Sequence, residues 1–139
     1  MRTNIPAVFF ATTLFGVSAC HTAQQIEDQP DEPVVQSIVD PNTGTSFELE
    51  LGGAIELVLK SNPTTGYYWY ITGTQGTSIE LLNEAYFADP APEGLTGSGG
   101  RQKFTFGATA PGETTLQLSY QRHPEDVFES LNLDFHVGR

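Results

Sequence analysis

The sequence predicts an all-β domain, a sandwich of two sheets built from seven or eight short strands. Three observations predict it. Runs of β-favouring residues alternate apolar with polar positions, and turn-forming clusters separate these runs at close intervals. Fourteen Gly and nine Pro leave no long helix-forming run. Nine Phe, five Tyr and one Trp supply the mass of a packed core. The length of 139 residues fits one such domain.

The elements follow in order. Val34–Val39 is a first apolar run, closed by the turn cluster Asp40-Pro41-Asn42-Thr43-Gly44. Phe47, Leu49 and Leu51 then alternate with Glu48 and Glu50, the pattern of a half-buried strand. Gly52-Gly53 turns the chain into Ala54–Leu59, where Ile55, Leu57 and Leu59 share one face. After Ser61–Gly66 comes Tyr67-Tyr68-Trp69-Tyr70-Ile71, dense in β-formers. Trp69 reads as the buried tryptophan of a central strand. Ile79–Phe87 is a further strand, followed by a Pro/Gly-rich loop over Pro90–Gly100. Lys103–Phe106 and Thr115–Tyr120 flank the turn Ala110–Glu113, and Leu131, Leu133, Phe135 and Val137 alternate into the last strand. His136, out of phase with Phe135 and Val137, faces solvent.

Ahead of this domain stand two segments of different character. Residues 1–19 hold a short basic start and an apolar stretch from Ile5 to Ala19, ending in small residues. That is a secretory signal, too short for the roughly 20 apolar residues of a membrane-spanning helix. Val17-Ser18-Ala19-Cys20 resembles a bacterial lipobox, which implies acylation of Cys20 and a lipid anchor. His21 follows Cys20 where an Asp would favour inner-membrane retention, so the expected place is the outer membrane, facing the periplasm. Residues 20–33 are polar, acidic and proline-containing, a flexible tether. The domain proper is 34–139. Cys20 is the single cysteine, so there is no intrachain disulfide and no cysteine-based zinc site.

Charge excludes several partners. Six Lys+Arg against 17 Asp+Glu give −11, and removal of residues 1–19 with Arg2 leaves −12. Such a chain lacks the clustered basic face that nucleic acid requires. A monomer binding a protein whose cleft is not strongly negative is expected. Catalysis finds no placed groups. His21, His123 and His136 have no metal-ligand spacing, and no cofactor is implied. Gly97-Ser98-Gly99-Gly100 fits neither a nucleophile elbow nor a phosphate loop.

What remains are three connecting loops. In Asn62-Pro63-Thr64-Thr65-Gly66-Tyr67, Pro63 fixes its own φ and holds Asn62 extended, while Gly66 permits a positive φ. The loop is therefore stiff before it meets a partner, and ordering it on binding costs little. Gly97–Gly100 has little side-chain bulk and can lay its backbone against a surface. Gln121–Glu125 is the third loop, with Arg122 and Pro124. In a Greek-key sandwich these three gather at one end.

Together these residues resemble the chagasin-like inhibitors of papain-type cysteine peptidases. The signature of that family is an Asn-Pro-Thr-Thr-Gly-Tyr/Phe loop followed by a strand Trp, then a Gly-x-Gly-Gly loop, then an Arg-Pro-Trp loop. Asn62–Tyr67 with Trp69 matches the first motif and Gly97–Gly100 the second. The third departs: His123 stands between Arg122 and Pro124, and no Trp follows. The resemblance implies an immunoglobulin-like sandwich that plugs the peptidase cleft. Thr64 and Thr65 would cover the catalytic centre, with Pro63 and Gly66 holding their shape and Asn62 and Tyr67 completing the peptidase-binding loop. Gly97, Gly99 and Gly100 would lie along one wall, and Arg122 would touch the other. The missing Trp implies weaker inhibition or a narrower range of targets. The alternative is a non-inhibitory envelope lipoprotein that binds another protein or a glycan through the same loops.

Overall fold

The computed structural model describes residues 35–94 and 97–139. The expected signal, the tether and Cys20 lie outside the described residues. Eight strands form: β1 (Val35–Val39), β2 (Thr45–Leu49), β3 (Ala54–Ser61), β4 (Tyr68–Gln75), β5 (Ile79–Ala88), β6 (Gly100–Ala108), β7 (Gly112–His123) and β8 (Asp126–Val137). They make two four-stranded sheets in the orders β1-β3-β6-β5 and β2-β8-β7-β4. The all-β sandwich expected from sequence is the architecture observed.

Alternation explains the packing. Ile55, Leu57 and Leu59 of β3 and Phe104 and Phe106 of β6 point inward from one sheet. Leu116 and Leu118 of β7 and Leu131, Leu133 and Phe135 of β8 meet them from the other. One aromatic pair bridges the sheets, Phe106 and Phe135 at 6.1 Å, and Phe47 packs beside Phe135 from the adjacent strand of its own sheet at 5.4 Å. Each such side chain, removed from water, contributes about 1.5–3 kcal/mol.

Most pairings are antiparallel, but β1 runs parallel to β3 and β2 parallel to β8. Val35 pairs with Ala54 at the start of β3, and Val137 pairs with Gly112 at the start of β7. These pairs mark one end of the sandwich. Ser61 pairs with Gly100, and His123 with Asp126, at the other.

Three local expectations need correction. Leu51 does not extend β2, which stops at Leu49; Leu51 sits half-exposed in the turn that closes on Gly53, whose N–H donates to Glu50 O. Trp69 is buried as expected, yet β4 is an edge strand and not a central one. The third loop is no loop of five residues. β7 runs on through Gln121 and Arg122 to His123, and only Pro124 and Glu125 turn the chain into β8.

The edge position of β4 exposes a polar backbone that the sandwich covers by an unusual route. Gln102, on β6 of the opposite sheet, is buried among core residues. Its Oε1 accepts from Trp69 N–H at 2.9 Å, and its Nε2 donates to Trp69 O at 2.9 Å and to Glu84 Oε1 at 2.7 Å. One amide thus takes the place of a neighbouring strand for one residue of β4. Trp69 Nε1 donates to Lys60 O at 3.0 Å, a second tie between the two sheets.

Candidate functional site

The first loop is shaped by its own sequence. Asn62 is extended at φ −135°, Pro63 opens a single 3-10 turn over Pro63–Thr65, and Gly66 closes it at φ 84° in the left-handed region. Inside the turn, Gly66 N–H donates to Pro63 O at 2.9 Å and Thr65 N–H to Asn62 O at 3.1 Å. Side chains reinforce it. Thr64 Oγ1 donates to Asn62 Oδ1 at 2.6 Å, and Thr65 Oγ1 to Asn62 O at 2.7 Å. Asn62 N–H in turn donates to the Tyr120 hydroxyl at 2.7 Å, tying the loop to β7. The result leaves Thr64 and Thr65 exposed at the tip while Asn62, Pro63 and Gly66 are half-buried beneath them.

The glycine loop lies against this turn. A Cβ on Gly99 would stand 3.1 Å from Ser61 O and 3.6 Å from Asn62 Cβ, so the two backbones run side by side. Gly97 has φ 96° and faces Thr64 Oγ1. Gly100 is the first residue of β6 and is buried against Phe87 O and the Tyr86 ring, where any side chain would collide. Gly100 therefore shapes the base of the loop, while Gly97 to Gly99 form its surface.

The β7–β8 hairpin completes the group. Arg122 lays its guanidinium over the Tyr67 ring, 4.7 Å from the centroid, and its Nε is 4.0 Å from Asp126 Oδ2. Tyr67 Oη donates to Asp126 Oδ1 at 3.0 Å. This bond to a carboxylate, with partial desolvation, raises the Tyr67 phenol above its ordinary value, so the hydroxyl stays protonated as a donor. Tyr67 thereby links the first loop to the hairpin. A Cβ on Gly66 would already touch Arg122 Cγ and Nε at 3.4 Å.

All ten loop residues singled out from sequence thus fall at one end of the sandwich, in three adjoining ridges. Their chemistry is that of a surface and not of a reacting centre: small hydroxyls, bare backbone and one cation. Among the described residues no group of His, Cys, Asp and Glu could hold a metal ion.

Two contributors escaped the sequence. Asp126 anchors both Tyr67 and Arg122 and had no motif to mark it. Phe128 stands beside them, its ring 6.0 Å from that of Tyr67 and 6.2 Å from that of Tyr120. Its only signal was an aromatic residue just past the third loop.

Comparison with known proteins finds relatives in sequence and in fold. The family model described as "Chagasin family peptidase inhibitor I42" matches residues 48–137. The chain is 33% identical over 86 residues to amoebiasin-1 of Entamoeba histolytica, covering 62% of this chain and 81% of that protein. It is 30% identical over 89 residues to chagasin of Trypanosoma cruzi, covering 61% and 79%. The solved structure of the cysteine protease inhibitor EhICP2 from Entamoeba histolytica has the same fold. It superposes with a TM-score of 0.65 at 22% identity, over 75% of this chain and 96% of that one.

Proposed function

Because this chain belongs to the chagasin family of peptidase inhibitors, we propose that it inhibits papain-like cysteine peptidases reversibly by filling the active-site cleft with the three ridges. It is an inhibitor and not an enzyme. The observation that carries the reading is the pre-formed tip at Thr64 and Thr65, stiffened from below by Asn62 and flanked on both sides.

Such a surface needs no reacting group. A wedge that enters the cleft presents two small hydroxyls near the catalytic Cys–His pair and no peptide bond oriented for attack. Its stiffness matters as much as its shape, since a loop held by its own hydrogen bonds loses little freedom on binding. The glycine ridge brings backbone groups against one wall, and the hairpin with Arg122 meets the other. An interface of about 1,600 Å² is expected.

The test is a titration of the protein against active-site-titrated papain and a cathepsin-L-type enzyme. Tight, reversible inhibition is the expected result. No inhibition by micromolar folded protein would shift the reading to an envelope module that binds another protein or a glycan.

We propose in addition that the protein is a monomer carried by lipid at Cys20 on the bacterial outer membrane, facing the periplasm. Val17-Ser18-Ala19-Cys20 after an apolar stretch supports this, and more than one acyl chain gives stable attachment. Cells fed labelled palmitate should label the protein, and Cys20→Ser should abolish the label. Label retained by Cys20→Ser would sink the idea.

A further inference from the structure

Phe128 has a conformation that the core does not explain. Between β7 and β8, Tyr120 pairs with Glu129 and Gln121 with Val127, so Phe128 has no residue opposite it. It is the extra residue of a β-bulge, a device that re-aims a side chain at the cost of one ladder position. Its side chain goes to solvent. Phe128 is 75% exposed, the highest value among the large hydrophobic residues described.

A single exposed apolar residue is ordinary on a protein surface, so exposure alone decides nothing. Place and rigidity decide it. The ring stands edge-on to Tyr67 and Tyr120, with interplanar angles of 67° and 84°. Tyr120 packs in turn on buried Trp69, their centroids 5.3 Å apart. A chain of aromatic rings therefore runs from the core to the rim of the hairpin and ends on Phe128. The same Tyr67 carries the Arg122 guanidinium and closes the Thr-bearing loop. Val127, the residue just before it, is 44% exposed and adds apolar surface.

We propose that Phe128 is the hydrophobic contact of the hairpin ridge, docking on an apolar patch of the peptidase cleft wall beside the Thr64–Thr65 tip. This rests on the inhibitory reading above. It assigns to a bulged residue of β8 the role left open by the departure of the third motif. A pre-ordered aromatic side chain that a partner covers on binding is the kind that dominates interface energy.

The full chain carrying Phe128→Ala, Phe128→Trp or Leu51→Ala is compared with the unsubstituted chain by inhibition constant against papain. Leu51, in the β2–β3 turn at the far end, is 50% exposed and serves as the reference apolar truncation. Phe128→Ala should weaken inhibition about 30-fold with an unchanged thermal midpoint. Phe128→Trp should keep it, and Leu51→Ala should leave it unaltered. With fluorotryptophan incorporated into the Phe128→Trp chain, the new fluorine resonance should move on complex formation while that of Trp69 stays. Inhibition that Phe128→Ala leaves within about threefold, or a fluorine signal unmoved in a formed complex, overturns the inference alone. Absence of inhibition by the unsubstituted chain overturns the functional reading and this inference with it.

Discussion

Replacing Thr64 and Thr65 together by alanine is expected to weaken inhibition of a papain-like peptidase by about 100-fold or more, close to 2.7 kcal/mol. The two hydroxyls have a double part. Each holds Asn62, through its side chain in one case and its carbonyl in the other, so each contributes about 1 kcal/mol to the shape of the tip. Each is also the group that would enter the cleft. Removing both loosens the turn and shortens its reach, so the complex loses contacts and must also order a freer loop. The fold should be indifferent, because both residues are exposed and neither touches the core. Inhibition constants and thermal melts measured side by side check this. A change in inhibition under about threefold, with an intact melt, would move the wedge away from this loop.

Gln102→Leu is expected to have the largest effect on stability, about 3–5 kcal/mol. Leucine fits the volume but cannot answer Trp69 N–H, Trp69 O or the Glu84 carboxylate, all of which the amide satisfies. Two buried backbone groups left without partners cost about 1–3 kcal/mol each. For a domain of this size the thermal midpoint should fall by roughly 15 °C or more. Because β4 begins just after the Thr-bearing loop, inhibition should weaken too. Equilibrium denaturation resolves the matter, and a loss below about 1 kcal/mol would mean that water replaces the amide without penalty.

These two residues also mark what a sequence tells its reader. The shape of the Asn62–Gly66 turn is local: Pro63 sets one dihedral, Gly66 another, and the hydrogen bonds that close it from within span at most three residues. Local physics is legible in order along the chain. The alternation of Ile55, Leu57 and Leu59, or of Leu131, Leu133 and Phe135, is equally local and fixes which face is buried. Gln102 is in phase with Phe104 and Phe106, so its burial could have been read, but its partner lies 33 residues earlier in the other sheet. The edge position of β4 follows from sheet order, which no short-range pattern carries. The bulge that turns Phe128 outward depends on how β7 and β8 settle against each other, and Gln121–His123 read as a loop for the same reason.

The pairing of Val35 with Ala54 and of Val137 with Gly112 has a consequence for how the molecule can be held. Chain attached before β1 or after β8 leaves from the pole opposite the three ridges, like a handle opposite a blade. A lipid at Cys20 would then present the ridges away from the membrane, with residues 20–33 setting how far they stand from it. By the same geometry, an affinity tag or an immobilising linker at either terminus leaves the working face free.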